Sequence, residues 1–212
     1  MLTRNKVILV VCASALLVAQ EKRSLGLFSS EGSVGQTSPG CKASFDVATG
    51  EYHITGGGSN MWAANDDFYF VWKQVSGDVA LSADVRFVGS SAAQHRKAVL
   101  IIRQDLDPSS AYADAAAHGN GLTALQYRAT AGGQTAHIPT QVDGPVRLRI
   151  ERHGDQFTMF AGTPGQELKS FGPTMVAMHD PVYIGLGVCS HVATTLETAI
   201  FSNVKIEPAS AR

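Results

Sequence analysis

Trp62 is the residue around which binding chemistry can most readily be assembled. It stands with Asn60, Asp66 and Asp67 in a short segment that runs into the aromatic stretch Phe68–Trp72. A sugar ring presents apolar C–H faces and equatorial hydroxyls, so its site wants an aromatic platform beside planar hydrogen-bonding groups. Asn60, Trp62 and Asp67 offer that combination. The competing reading makes Trp62 a plug at the open end of a fold, with the acids capping turns. Arg103 ends the apolar run Val99–Ile102 and shares a face with Val99 and Ile101. A guanidinium held there needs a partner, so an internal pair with the nearby Asp105 and Asp107 competes with a ligand-binding role.

Alternation supplies a further set. Tyr112, Asp114 and His118 fall on one face of a candidate strand, and Gln126 and Arg128 on one face of the next. Together with Arg103 they could line a single sheet face, with His191 at its rim. An unmatched histidine is as readily a satisfied core or surface group as an acid or base, so no catalytic residue is assigned.

Other chemistry is thinly represented. Asp66 and Asp67 are the nearest acidic pair, and adjacent side chains of an extended segment point opposite ways. Asp105-x-Asp107 supplies two loop oxygens where calcium takes about six to eight, so no cofactor or metal is predicted and a structural calcium ion is left open. No Cys-x-x-Cys and no histidine pair at ligand spacing occurs. Of the three cysteines, Cys12 lies in the leader described below, and Cys41 and Cys189 remain. An oxidising compartment would allow them to pair; two idle thiols are the alternative.

The elements that must position these residues read as strands. Ser44–Val47, Glu51–Thr55, Asp67–Gln74, Val79–Val88, Lys97–Gln104, Tyr112–His118, Leu122–Thr130, Val146–Arg152, Gln156–Ala161, Val182–Ser190 and Thr198–Glu207 are each of strand length and are separated by turn residues. Val79, Leu81, Ala83, Val85 and Phe87 alternate with Ala80, Ser82, Asp84 and Arg86, the pattern of a strand with one wet face. Val99–Ile102 and Tyr183–Val188 are apolar almost throughout, as central strands covered on both sides should be. Only Pro108–Ala117 has a helical look, and it lacks an apolar stripe. Spacing of this kind predicts an all-β fold, a sandwich of two antiparallel sheets.

Arg4 and Lys6 precede the apolar run Val7–Ala19, which polar residues follow at once. That is the build of a secretory leader, and the run is short of the roughly 20 residues that cross a bilayer. The expected organisation is a leader over residues 1–19, an extended entry over 20–42, the sandwich over 43–207 and a tail over 208–212. A net charge of −1, shifted further toward acid when Arg4 and Lys6 leave, provides no field to gather nucleic acid. The chain is expected to be exported, periplasmic or extracellular, with no integral span once the leader is removed.

Four strings now carry a resemblance: Gly58–Val85, Lys97–Tyr127, Val146–Gly162 and Val182–Lys205. In content, order and spacing they resemble the regulation-of-enolase-protein-like family. The resemblance implies a concanavalin A-like, or laminin-G-like, jelly roll. The family has no established common activity, and in exported bacterial proteins its modules are often fused to carbohydrate-active domains. The same fold hosts glycoside hydrolases, whose laminarinase-type members carry Glu-x-Asp-x-x-Glu on one strand. Retaining chemistry needs two carboxyls about 5 Å apart, and that string is absent here.

These readings point to an exported, non-catalytic module that binds carbohydrate on the concave sheet face, through Asn60, Trp62, Asp67, Arg103, Asp114, His118, Gln126, Arg128 and His191. A carbohydrate-active hydrolase with an unrecognised site and a cell-envelope protein-interaction domain are the rival expectations.

Overall fold

The computed structural model describes residues 24–144 and 146–210; the leader expected over residues 1–19, with Cys12, lies outside them. Among the described residues there is no helix. The strands are β1 (Ser30–Val34), β2 (Lys42–Asp46), β3 (Glu51–Gly56), β4 (Met61–Trp62), β5 (Asn65–Asp66), β6 (Phe68–Val75), β7 (Val79–Phe87) and β8 (Lys97–Arg103). They continue as β9 (Tyr112–His118), β10 (Thr123–Arg128), β11 (Ala136–Pro139), β12 (Val146–His153), β13 (Gln156–Gly162), β14 (Lys169–Met175), β15 (Val182–Cys189) and β16 (Glu197–Pro208).

Two seven-stranded antiparallel sheets form a sandwich. One has the order β1-β6-β15-β8-β9-β10-β11 and the other β14-β13-β12-β7-β16-β3-β2. We call them the front and back sheets. Because side chains alternate across a strand, each front strand divides its residues between two environments. Ala98, Leu100, Ile102, Ala113, Ala115, Leu125, Leu186 and Val188 enter the core between the sheets, against Leu81, Val85, Leu148, Ile150, Phe157 and Phe201 of the back sheet. Burying each large apolar side chain is worth about 1.5–3 kcal/mol.

The opposite side of the front sheet has a smaller core of its own. Val34, Met61, Phe68, Phe70, Val99, Ile101, Tyr112, Ala116 and Cys189 cluster there. This explains why Val99–Ile102 reads as apolar on both faces: β8 is buried along its whole length. Gly187 is required at this surface, since a Cβ there would come within 2.7 Å of the Phe68 ring. The outer face of the back sheet is laced instead by ion pairs, with Arg147 at 2.8 Å from Asp84 and Arg149 at 2.6 Å from Glu151.

The structure adds strands that composition concealed. The entry segment contributes β1, which pairs with β6 and sends Val34 into the smaller core. Strand β14 contains Gly172 and Pro173 and lies at a sheet edge, where a missing N–H does least harm. Pro108–Ala117 forms a turn and nearly all of β9 rather than a helix; Ala113, Ala115 and Ala117 face the main core and Ala116 the smaller one.

The cysteine pairing considered from sequence does not occur, and both Cys41 and Cys189 are free thiols. Each sulfur is engaged locally. Cys41 Sγ accepts the Gly57 N–H at 3.1 Å and is 3.2 Å from the Ser38 carbonyl. Cys189 Sγ accepts the His191 N–H at 3.4 Å, and burial pushes its thiol up to about 11.

Candidate functional site

Register places the polar residues of the front sheet in rows. Lys97 lies opposite His118 on β9 and Cys189 on β15; Asp114 lies opposite Ile101 and Gln126; Tyr112 lies opposite Arg103 and Arg128. All share the face of the smaller core, as alternation predicted for Arg103, Asp114, His118, Gln126 and Arg128. One half of that face, however, is sealed.

The seal is the β4–β5 hairpin, which lays Asp66 over two arginines. Arg128 donates from Nη2 to Asp66 Oδ1 at 2.7 Å and from Nη1 to Oδ2 at 2.9 Å, while Arg103 Nη2 stands 3.6 Å from Oδ2. Arg128 also reaches the carbonyls of Ala63, Pro108 and Ser110. Arg103 donates to the backbone carbonyls of Asp105 and Asp107, both at 2.6 Å, rather than to their carboxylates. Neither arginine nor Asp66 has any exposed area. Arg103 and Arg128 are therefore corrected from ligand contacts to structural anchors of the hairpin.

Two further candidates also leave the site. Asp67 accepts the Gln36 N–H at 2.7 Å and the Ser59 hydroxyl, so it clamps two loops. Asp66 and Asp67 do point opposite ways. Asp114 is buried, and neither of its oxygens has a hydrogen-bond partner. Burial holds its carboxyl well above the usual range, against the pull of Lys97. The Asp105-x-Asp107 loop is self-capped: Asp105 accepts the Asp107 N–H at 2.9 Å, and Asp107 accepts from Ser109 at 2.7 and 2.8 Å. Among the described residues no group of three or more His, Cys, Asp or Glu is placed to hold a metal ion.

The other half of the face is open, as a cavity of about 270 Å³. Lys97, His118, Ala124 and Gln126 come from the sheet; Asn60 and Trp62 come from the hairpin side; His95, Leu122, His137 and His191 complete the lining. Five of the sequence-derived candidates, Asn60, Trp62, His118, Gln126 and His191, thus meet at one place. Lys97, His95 and His137 were missed. Lys97 had a readable signal, since it shares parity with Arg103 on β8. His137 lies on β11, which no pattern announced.

The lining is rich in nitrogen and held with some strain. Asn60 Oδ1 accepts the Met61 N–H at 2.8 Å and also the Lys97 ammonium. The Trp62 ring tilts against His137 at 5.4 Å between centroids, and His95 meets His191 edge-on at 5.4 Å. His118 donates from Nδ1 to the Leu122 carbonyl at 3.1 Å, which leaves Nε2 as an acceptor in the neutral ring. Burial, reinforced by Lys97, brings His118 down to about 4, so the ring is neutral at neutral pH. Gln126 Oε1 and His191 Nδ1 are buried without partners. His191 (φ 60°) and Ala63 (φ 52°), beside Trp62, have left-handed backbones, strain that tends to gather at functional sites.

No family model matches the sequence, and no curated protein matches it. Solved structures do. A functionally unknown protein from Saccharomyces cerevisiae superposes with a TM-score of 0.63 at 12% identity, over 83% of this chain and 95% of its own. The carbohydrate binding module CBM66 from Bacillus subtilis gives 0.53 at 16%, over 85% and 97%. A prokaryotic β-1,3-1,4-glucanase (lichenase) derived from a mouse hindgut metagenome gives 0.52 at 8%, over 84% and 93%. At such identities the likeness is one of fold, and the fold is a jelly-roll sandwich of the concanavalin A-like type.

Proposed function

We propose that this chain is a non-catalytic carbohydrate-binding module whose ligand occupies the cavity beside Trp62. The observation that carries the reading is convergence. Trp62, Asn60, Gln126 and the histidines border one open cavity, and the buried Gln126 Oε1 there lacks a partner. Leaving a buried acceptor unpaired costs about 1–3 kcal/mol, a debt that a ligand hydroxyl would cancel. A volume near 270 Å³ suits one sugar ring, just below the range of about 300–1,000 Å³ common for small-molecule sites.

Catalysis is the weaker reading. Glycoside hydrolysis ordinarily needs two carboxyl groups facing each other across the scissile bond, and the cavity lining contains none. The fold does not decide, because a binding module and a glucanase resemble this chain about equally. The leader pattern at Arg4–Ala19 supports export to the periplasm or beyond, and no described helix is long and apolar enough to cross a membrane. The four strings similar to the regulation-of-enolase-protein-like family make membership there part of the proposal.

Isothermal titration against a panel of oligosaccharides tests this reading. Binding of at least one of them is expected, in the high micromolar to millimolar range of about −4 to −6 kcal/mol, and a tenfold or greater loss in Gln126→Ala. A folded protein that binds no saccharide would overturn it.

A further inference from the structure

The cavity combines an aromatic platform with a cation and has no acidic side chain on its wall. Lys97 is only 3% exposed and has no ion-pair partner within 4.0 Å among the described residues. Its ammonium is held by one neutral acceptor, Asn60 Oδ1, although it carries three N–H donors. The nearest acids act on it only at longer range than an ion pair. Asp66 is taken by Arg103 and Arg128, and Asp114, buried on the same face, makes no ion pair with Lys97 within 4.0 Å while burial raises its carboxyl well above the usual range.

Burial lowers the Lys97 pKa, a cost that a ligand carboxylate beside the ammonium would offset by favouring the charged form. The rest of the lining adds the Trp62 indole and the Asn60 and Gln126 amides as donors, beside the acceptors Gln126 Oε1 and His118 Nε2 that a sugar hydroxyl could satisfy. Such a wall suits a hydroxylated ligand that also bears negative charge. Trp62 at the rim adds a surface for an apolar ring face.

We infer that the ligand is an acidic sugar, a pyranose whose ring rests on Trp62 and whose carboxylate meets the Lys97 ammonium. This rests on the carbohydrate reading above and narrows it. A neutral sugar could accept from the ammonium but would leave its charge uncompensated. A charge-assisted bond in a half-enclosed site supplies the discrimination.

Titration at neutral pH would compare three matched probes: a galacturonic acid disaccharide, its methyl ester and the neutral galactose disaccharide, with a sulfated galactose disaccharide as a fourth arm. The uronate is expected to bind about tenfold or more tighter than the ester and the neutral sugar. Lys97→Met, similar in length, should abolish the preference, bringing uronate, ester and neutral sugar to within about twofold of one another. The wild-type comparison of acid with ester needs no variant, so a misfolded Lys97→Met would leave the inference testable. Equal affinity for acid, ester and neutral sugar would overturn the inference and leave the carbohydrate reading standing. Preference for the sulfated probe alone would also overturn it. Binding of none of the four, with other oligosaccharides equally inert, would remove both.

Discussion

Asp66 grips Arg128 with both carboxylate oxygens, at 2.7 and 2.9 Å, where neither side chain reaches solvent. The same carboxylate faces Arg103. Its removal would strand two guanidiniums in a dry interior, so Asp66→Asn should destabilise the protein by about 3–5 kcal/mol. Asp114→Asn, at a buried carboxyl with no hydrogen bond, should change stability by about 1 kcal/mol or less. Urea denaturation of both variants checks the contrast, and equal losses would contradict it.

Protonation of His118 should erode stability in mild acid. Its folded pKa, about 4, lies below the ordinary 6.5, so the unfolded chain takes the proton first. The contribution is complete above pH 6.5 and is lost as pH falls toward 4, on the order of 3 kcal/mol across that window. His118→Gln keeps a donor for the Leu122 carbonyl and cannot titrate, so its stability should fall less steeply between those limits. A pH–stability curve identical to the wild type would refute the assignment.

Trp62→Ala should separate binding from folding. The side chain is partly exposed at the cavity rim, so the melting temperature should move by only a few degrees, whereas saccharide affinity falls about tenfold or more. The variant should also lose any ligand-induced change in tryptophan fluorescence, because the remaining Trp72 lies elsewhere on the sheet. Wild-type affinity in Trp62→Ala would exclude the platform role.

The two thiols should differ in reactivity. In a Cys12→Ser chain, Ellman's reagent should modify the half-buried Cys41 under native conditions and reach Cys189 only in denaturant. Mass spectrometry finding Cys41 linked to Cys189 would contradict the free-thiol structure.

The sandwich was legible because its strands are short, alternating and cleanly punctuated. Val79–Val88 announces its faces, and ends one residue beyond the observed strand; Tyr112–His118 has the observed bounds although its alanines lent Pro108–Ala117 a helical look. Parity along single strands likewise put Asp114, His118, Gln126 and Arg128 on one side of the sheet. What parity cannot reveal is cover. Asp66 meets Arg128 across 62 positions of chain, and only that long-range pairing shows which half of the face is shut. His95 and His137 were silent for a related reason, since loops and the edge strand β11 carry no period to read.

A trough open at both ends can slide along a polymer and grasp any unit of it. Here the Asp66 hairpin stoppers one end, and Asn60 and Trp62 form the wall it presents to the cavity. That side of the cavity therefore depends on an ion pair, and whatever loosens Asp66 from Arg128 would reshape the wall that Asn60 and Trp62 form.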